Sequence, residues 1–97
     1  MIYGYLWLPT FIYGHAVGIE WAVNQPKWKQ IAEVIKKRIA DGTYPPDTAI
    51  PSEHELVREF DVARGTARKV LVQLTADGVA YTVRGLGTFV TPRETSE

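Results

Sequence analysis

The side chains with the clearest capacity for chemistry are basic and lie close together after residue 62. Arg64 and Arg68 are four residues apart, with Gly65, Thr66 and Lys69 beside them. In a helix, this spacing places the two arginines on one face near its N-terminal end. A guanidinium group donates two parallel hydrogen bonds, which suits a phosphate or the O6 and N7 atoms of guanine. The pattern indicates a nucleic-acid-binding helix, although a merely solvated basic face would have the same sequence.

A second basic position lies further along the chain, where Arg84 precedes Gly85 and Gly87. Glycine lets a backbone approach phosphates or a minor groove without a Cβ in the way. The same glycines are also explained by a plain turn that requires positive φ. Both readings are compatible, so Arg84 and Gly85 are candidate DNA-binding residues.

Enzymatic chemistry has little support in the sequence. The chain has no cysteine, and its two histidines, His15 and His54, lie in different segments. This excludes a thiolate nucleophile, and it leaves no metal-ligand spacing and no Ser-His-Asp arrangement. Glu53 and Glu55 are two residues apart, so in a helix their carboxylates point in different directions. We expect no catalytic activity, no metal and no cofactor.

The length and charge of the chain narrow the classes of protein to which it could belong. With 97 residues, the chain has room for one small domain. Its 11 basic and 11 acidic residues cancel, but all the bases lie between residues 27 and 93, where there are only eight acids, a local excess of 11 − 8 = +3. Residues 62–93 hold five bases and one acid, whereas residues 53–61 hold one base and four acids. The sequence therefore predicts one positive side and one negative side.

Three amphipathic stretches predict three helices. The first begins at Pro26, carries a possible Glu33–Lys37 pair on its polar face and ends at Gly42. The second begins with Ser52 and Glu55 in capping-box spacing, and the third spans about residues 64–76. The predicted buried positions are Trp28, Ile31, Ala32, Ile35 and Ile39 in the first helix, Leu56, Val57 and Phe60 in the second, and Ala67, Val70, Leu71 and Leu74 in the third.

The period then changes from that of a helix to that of a strand. Val79, Tyr81 and Val83 alternate with other side chains, residues 85–87 form a glycine-rich turn, and residues 88–91 return. This predicts a β-hairpin at residues 79–91. The fold class is therefore mainly α with a small β wing: a winged helix-turn-helix of three helices plus a β-hairpin at residues 26–92, followed by a polar tail at 93–97.

Residues 1–25 form an apolar, aromatic-rich arm that has no base and a single acid, Glu20. The arm could cover the domain with β-rich or irregular structure, or it could mediate dimerisation. A membrane span is disfavoured because proline, glycine and histidine interrupt the run and no base precedes it. A translation start downstream of the arm is a further alternative.

The motifs from residue 30 to residue 91 resemble the N-terminal DNA-binding domain of GntR-type bacterial transcriptional regulators. The matching stretches are DGTYPP at 41–46, IPSEHEL at 50–56, FDVARGTAR at 60–68 and LTADG at 74–78, followed by RGLGTFV at 84–90. The resemblance implies operator contacts from the third helix, from the wing and from the start of the second helix, at Arg64, Thr66, Arg68, Arg84, Gly85, Ser52 and His54.

Two positions depart from the family pattern. His54 stands where arginine is usual and would be a weaker, pH-dependent anchor. Ala63 stands where a serine or threonine often caps the third helix. Family members also usually continue past the wing into an effector-binding and dimerising domain, whereas this sequence stops seven residues after Val90.

These observations predict sequence-specific binding of double-stranded operator DNA by a cytoplasmic homodimer. Helix 64–76 would enter the major groove, and wing 79–91 would contact the flanking backbone or minor groove. No effector ligand is expected within this chain. Two alternatives remain: a winged-helix module that binds protein, and an arm that tethers the domain to a membrane.

Overall fold

The computed structural model describes residues 20–92, which form three helices followed by a two-stranded antiparallel sheet. The helices are α1 (Lys27–Ala40), α2 (Glu53–Phe60) and α3 (Arg64–Ala76), and the strands are β1 (Ala80–Val83) and β2 (Gly87–Val90). The predicted winged helix-turn-helix fold is confirmed. Residues 1–19 of the predicted arm and the tail at 93–97 lie outside the described residues, so the hypotheses about them stay predictions.

The first helix, α1, follows Pro26, which adopts an extended backbone and supplies no side-chain cap. Proline suits this position because the first N–H groups of a helix have no partner within it. The predicted apolar stripe is buried at its centre, at Ile31, Ala32 and Ile35. Its two ends, Trp28 and Ile39, are half-buried against the same core.

The second helix starts with the predicted capping box. The Glu55 amide donates to the Ser52 hydroxyl at 3.1 Å, and the Ser52 amide donates to the Glu55 carboxylate at 2.9 Å. The helix ends at Asp61, whose left-handed backbone (φ 53°) reverses the chain. Residues 61–63 then join α2 to α3, which is the short connection of a helix-turn-helix unit.

A single hydrophobic core joins all three helices to the hairpin. Its central side chains are almost fully buried, and they come from α1, α2, α3 and β2: Phe60, Ile31, Ile35, Leu56, Leu74, Val70 and Val90. Each such aliphatic or aromatic side chain contributes about 1.5–3 kcal/mol when it is removed from water. The inward face of α3 is therefore committed to packing, and its opposite face is free to meet a ligand.

The most buried residue at the start of the hairpin is not one of the alternating apolar residues Val79, Tyr81 and Val83 but the Ala80 between them. Ala80 pairs with Val90 in the sheet, and these two residues are only 4% and 2% exposed. Tyr81 is 37% exposed, and Val79 and Val83 are half-buried. The small Ala80 side chain therefore belongs to the buried face of the hairpin, together with Val90.

Residues 47–50 run alongside β2, with an antiparallel bridge between Ala49 and Phe89, which the sequence did not predict. The amide of Asp47 donates to the Val90 carbonyl at 2.8 Å, and the Val90 amide donates to the Thr48 carbonyl at 2.9 Å. The Ile50 amide donates to the Thr88 carbonyl at 2.9 Å. These bonds tie the segment before α2 to the wing.

Two ion pairs bind α1 to the other helices. Between α1 and α2, the Arg38 guanidinium lies 2.6 Å from the Glu59 carboxylate and donates to the Tyr44 hydroxyl at 2.8 Å. Burial lowers the pKa of Arg38, but the hydrogen bonds with Glu59 and Tyr44 outweigh it, and the net pKa is raised. The predicted negative segment at 53–61 is thus partly neutralised by a base from α1.

The second pair joins α1 to the end of α3. The Lys36 ammonium lies 2.7 Å from the Asp77 carboxylate and 3.8 Å from that of Glu33. The Lys36–Asp77 hydrogen bond raises the pKa of Lys36 and lowers the pKa of Asp77. The predicted Glu33–Lys37 pair does not form in the structure, because Lys36 is the lysine that reaches Glu33.

Within residues 20–92, none of the helices combines the length and the apolar character needed to cross a membrane.

Candidate nucleic-acid interface

The exposed face of α3 carries the predicted basic residues. Ala67, Val70 and Leu74 are buried, which turns the opposite side of the helix outward. The side chains of Arg64 and Arg68 are 78% and 67% exposed. Gly65 and Lys69 are also exposed, whereas Thr66 is half-buried. The structure therefore brings together the five predicted residues of α3 at its N-terminal half.

Glu53 lies between the two arginines, which the sequence analysis did not anticipate. Its Oε2 atom accepts a hydrogen bond from Arg68 Nε at 2.9 Å, and its Oε1 atom lies 3.5 Å from Arg64 Nε. The hydrogen bond from Arg68 lowers the pKa of Glu53, and the positive charges of both arginines add to the effect. The expectation of separate positive and negative sides is wrong here, because a carboxylate from α2 lies within the basic face.

The N-terminus of α3 has no side-chain cap. Ala63 has the extended backbone of an N-cap (φ −69°, ψ 156°) but no side-chain oxygen to accept a hydrogen bond. Asp61 does not replace it, since that residue is the left-handed C-cap of α2. The first amides of α3 are therefore available to an external acceptor, and the helix dipole favours an anionic one.

Gly65 is the second residue of α3, and nothing in the fold requires glycine there. Its φ is not in the positive range, and a Cβ built on it would meet no atom within 4 Å. Glycine in a helix costs about 0.5–1 kcal/mol relative to alanine. The fold itself would therefore accept alanine at this position.

A further basic edge lies beside α3, at the start of α1. The Lys69 ammonium sits 5.5 Å from the centroid of the Trp28 ring, and that of Lys27 sits 5.1 Å from the Trp21 ring. These cation–π contacts hold two exposed lysines near the N-terminus of α1, with Lys69 reaching it from the middle of α3. Lys69 was predicted as a site residue, but Lys27 was not. The sequence signal that could have identified Lys27 was its position in the first turn of α1, next to Trp28 in the chain.

The side chain of Gln30 fixes the chain just before α1. Its amide group accepts from the Ala22 N–H at 2.9 Å and donates to the Ala22 and Gln25 carbonyls at 3.1 and 3.0 Å. This places residues 21–25 against the helix start, with Trp21 packed on the core. Lys27 is thereby attached to an ordered segment.

The start of α2 lies next to the start of α3. Ser52 and His54 are both exposed, and they flank the Glu53 that contacts the α3 arginines. The Ser52 oxygen is committed to the capping box as an acceptor, so its hydroxyl hydrogen remains available for donation. The structure therefore places Ser52 and His54 beside the basic face of α3.

The tip of the wing presents Arg84, Gly85 and Leu86 outward. The backbone of Gly85 has a positive φ of 83° and that of Gly87 a φ of 137°, and the Leu86 amide closes the turn on the Val83 carbonyl at 2.9 Å. Both glycines are thus required by the turn, as one reading of the sequence held. The Leu86 side chain is 75% exposed.

A groove lies between the wing and the helices. Its lining includes three wing residues, Leu86, Gly87 and Thr88, and three residues from the α2 and α3 side, Ser52, Glu53 and Leu71. Below the tip, Tyr81 stacks on Phe89 with centroids 5.8 Å apart and donates to the Asp47 carboxylate at 2.6 Å, which raises the pKa of Tyr81. The wing is thereby fixed to the segment that precedes α2.

Comparison with characterised proteins agrees with this arrangement. The chain is 40% identical over 65 residues to the histidine utilization repressor of Pseudomonas putida, which covers 67% of this chain and 26% of that protein. It is likewise 40% identical over 65 residues to the transcriptional repressor NagR of Bacillus subtilis, covering 67% of this chain and 27% of the relative. The chain thus spans about a quarter of the length of these relatives.

Solved structures give the same result. AraR(DBD) in complex with operator ORX1 matches with a TM-score of 0.66 and 43% identity, covering 69% of this chain and 81% of that one. A GntR family transcriptional regulator from Listeria monocytogenes matches with a TM-score of 0.71 and 30% identity, covering 76% and 65% of the two chains. The family model of bacterial regulatory proteins, gntR family, matches residues 27–90, so the chain belongs to the gntR family.

Proposed function

We propose that residues 26–92 bind double-stranded DNA sequence-specifically, as the DNA-binding domain of a transcriptional regulator. The observation that carries the proposal is the outward display of Arg64 and Arg68 at the uncapped N-terminus of α3. A helix fits the major groove, and arginine is the side chain best suited to guanine there. The match to AraR(DBD), solved in complex with an operator, supports the same role.

Each surface element has a distinct part in this proposal. Arg64, Arg68 and Thr66 read base edges, while Gly65 permits close approach of the α3 backbone to the duplex. Phosphate contacts come from the exposed groups around them, which supply affinity without sequence information. These groups are Ser52, His54, Lys69, Arg84, Gly85 and Lys27.

We further propose that the domain acts as a homodimer on a two-fold symmetric operator in the cytoplasm. A single domain of this size contacts one half-site, and two copies spaced by one helical turn of DNA would double the contacts. The regulator relatives agree with the prediction that the chain is not an enzyme. That no effector ligand binds within this chain remains our expectation.

A mobility-shift titration at several salt concentrations tests the proposal, with the wild-type chain, Arg64→Ala and Arg84→Ala. Logarithmic affinity should fall linearly with logarithmic salt concentration, because bound phosphates release counterions. Arg64→Ala should cost about 1–3 kcal/mol on the cognate site and relax preference there. Arg84→Ala should weaken binding to all DNA sequences evenly and reduce the salt slope by about 1.

Equal losses of affinity for cognate and scrambled DNA in both variants would contradict these roles. Binding that is absent or independent of salt would favour a protein partner.

A further inference from the structure

The position of Glu53 is unusual for a surface that is proposed to bind a polyanion. The carboxylate is 24% exposed, and in residues 20–92 it is the one acid within 4.0 Å of either α3 guanidinium group. Each of its two oxygens faces a different arginine. A negative charge at this place opposes phosphate binding, so its presence calls for a compensating role.

The geometry of the contacts suggests what that role is. Glu53 approaches both arginines through Nε, the nitrogen at the base of the guanidinium group. Within residues 20–92, the terminal nitrogens of Arg64 and Arg68 donate no hydrogen bond. The edge formed by the two terminal nitrogens of each arginine therefore stays free for paired hydrogen bonds, while Arg68 is hydrogen-bonded to Glu53 through Nε and Arg64 Nε lies 3.5 Å from the same carboxylate.

Holding these side chains has two physical effects. Arginine loses rotamer freedom when it binds, and a side chain that is already ordered loses less. The carboxylate also separates two like charges that lie four residues apart on one helix. Both effects favour a fixed presentation of the two guanidinium groups, which benefits contacts with defined base edges more than contacts with mobile phosphate positions.

We propose that Glu53 is a positioning residue that sets the sequence specificity of the domain. It holds Arg64 and Arg68 in a shared geometry for base recognition, and its charge weakens binding to DNA of arbitrary sequence. The inference rests on the DNA-binding function proposed above. Glu53 raises the ratio of cognate to non-cognate affinity even though it lowers the positive charge of the surface.

The test compares Glu53→Gln with a matched control, Glu55→Gln. Both substitutions remove one negative charge from the first turn of α2. Glu55 bonds to Ser52 rather than to the arginines, and glutamine is compatible with a capping box. Circular dichroism establishes that each variant is folded before its affinities for a cognate and a scrambled duplex are measured.

For Glu53→Gln we expect scrambled-duplex affinity to rise about three- to tenfold, because a repulsive charge is lost near the phosphates. We expect cognate affinity to stay level or fall, so that the specificity ratio drops by about tenfold. For Glu55→Gln both affinities should change together and the ratio should be preserved. An unchanged ratio in Glu53→Gln, or equal drops in both variants, would overturn the inference.

A second measurement needs no DNA. In the free wild-type protein, the Nε–H signal of Arg68, which donates to Glu53 at 2.9 Å, should be resolved in nitrogen-edited NMR spectra and protected from rapid exchange. It should broaden in Glu53→Gln and persist in Glu55→Gln. Protection that survives in Glu53→Gln would contradict the positioning role while leaving DNA binding intact. A wild-type chain that does not prefer its cognate duplex would instead overturn the DNA-binding proposal, and this inference with it.

Discussion

Replacing Gly65 by alanine should stabilise the free domain and weaken its complex with DNA. The substitution adds a Cβ in the first turn of α3, where φ is not positive and no atom lies within 4 Å. Gly→Ala at a compatible position adds about 0.4–1 kcal/mol, chiefly by restricting the unfolded chain. For a domain of this size, that corresponds to a rise in melting temperature of roughly 2–8 °C.

The effect on DNA binding should have the opposite sign. If the α3 backbone approaches a phosphate at Gly65, the added Cβ holds the two apart and lengthens a charge-assisted hydrogen bond. Such a bond contributes about 1.5–3 kcal/mol, so losing it weakens the complex by roughly tenfold or more. Thermal unfolding followed by circular dichroism and a duplex titration by fluorescence anisotropy measure the two effects.

Gly78→Ala is the matched control, because it makes the same chemical change just beyond the other end of α3. Gly78 has a φ of 79°, a conformation that alanine adopts poorly, so this variant should be less stable by about 1 kcal/mol. The DNA affinity of its folded fraction should not change. The reasoning would be refuted if Gly65→Ala stabilised the domain and bound DNA as tightly as the wild type.

Two further predictions concern stability. Ala63→Ser should supply the missing N-cap of α3 and raise the free energy of unfolding by about 1 kcal/mol in urea denaturation, since the backbone already has cap geometry; no gain would show that another group already satisfies the α3 amides. Asp77→Asn should flatten the acid side of the pH–stability profile. The pKa of Asp77 is lowered by Lys36, so the wild-type ion pair stabilises the fold above about pH 4 and this contribution is lost as the pH falls further. Identical urea midpoints of the two proteins across pH 3–7 would contradict that assignment.

The helices were predictable because their signals are local. Ser52 and Glu55 are three residues apart, and the capping box they form depends only on that spacing. The apolar stripe of α1 likewise follows from the period of the helix. The resemblance to a known family added the expected contacts at the start of α2, which local patterns alone did not indicate.

The contacts between elements were not predictable in the same way. Glu53 and Arg68 are 15 residues apart, and their hydrogen bond exists because the tight turn after α2 brings the two helix starts together. Lys36 meets Asp77 for a similar reason, across the α1–α3 packing. Periodicity specifies which face of a helix is polar, but the partner of each charge depends on how the helices pack.

The wing illustrates a different limit. Alternation in β1 is visible in the sequence, but it does not say which of the two alternating faces is buried. The structure buries the small Ala80 and leaves the larger Tyr81 outside, where its hydroxyl is bonded to Asp47. The partner of Tyr81 is 34 residues away in the sequence, so β1 itself does not encode it.

Selection of bound duplexes from random-sequence DNA tests the central claim most directly. Wild-type protein should enrich a two-fold symmetric motif with guanines at the positions read by Arg64 and Arg68. The double variant Arg64→Ala, Arg68→Ala should lose those guanines while still binding DNA weakly. Failure of the wild type to enrich any motif, or enrichment of the same motif by the double variant, would contradict sequence readout by α3.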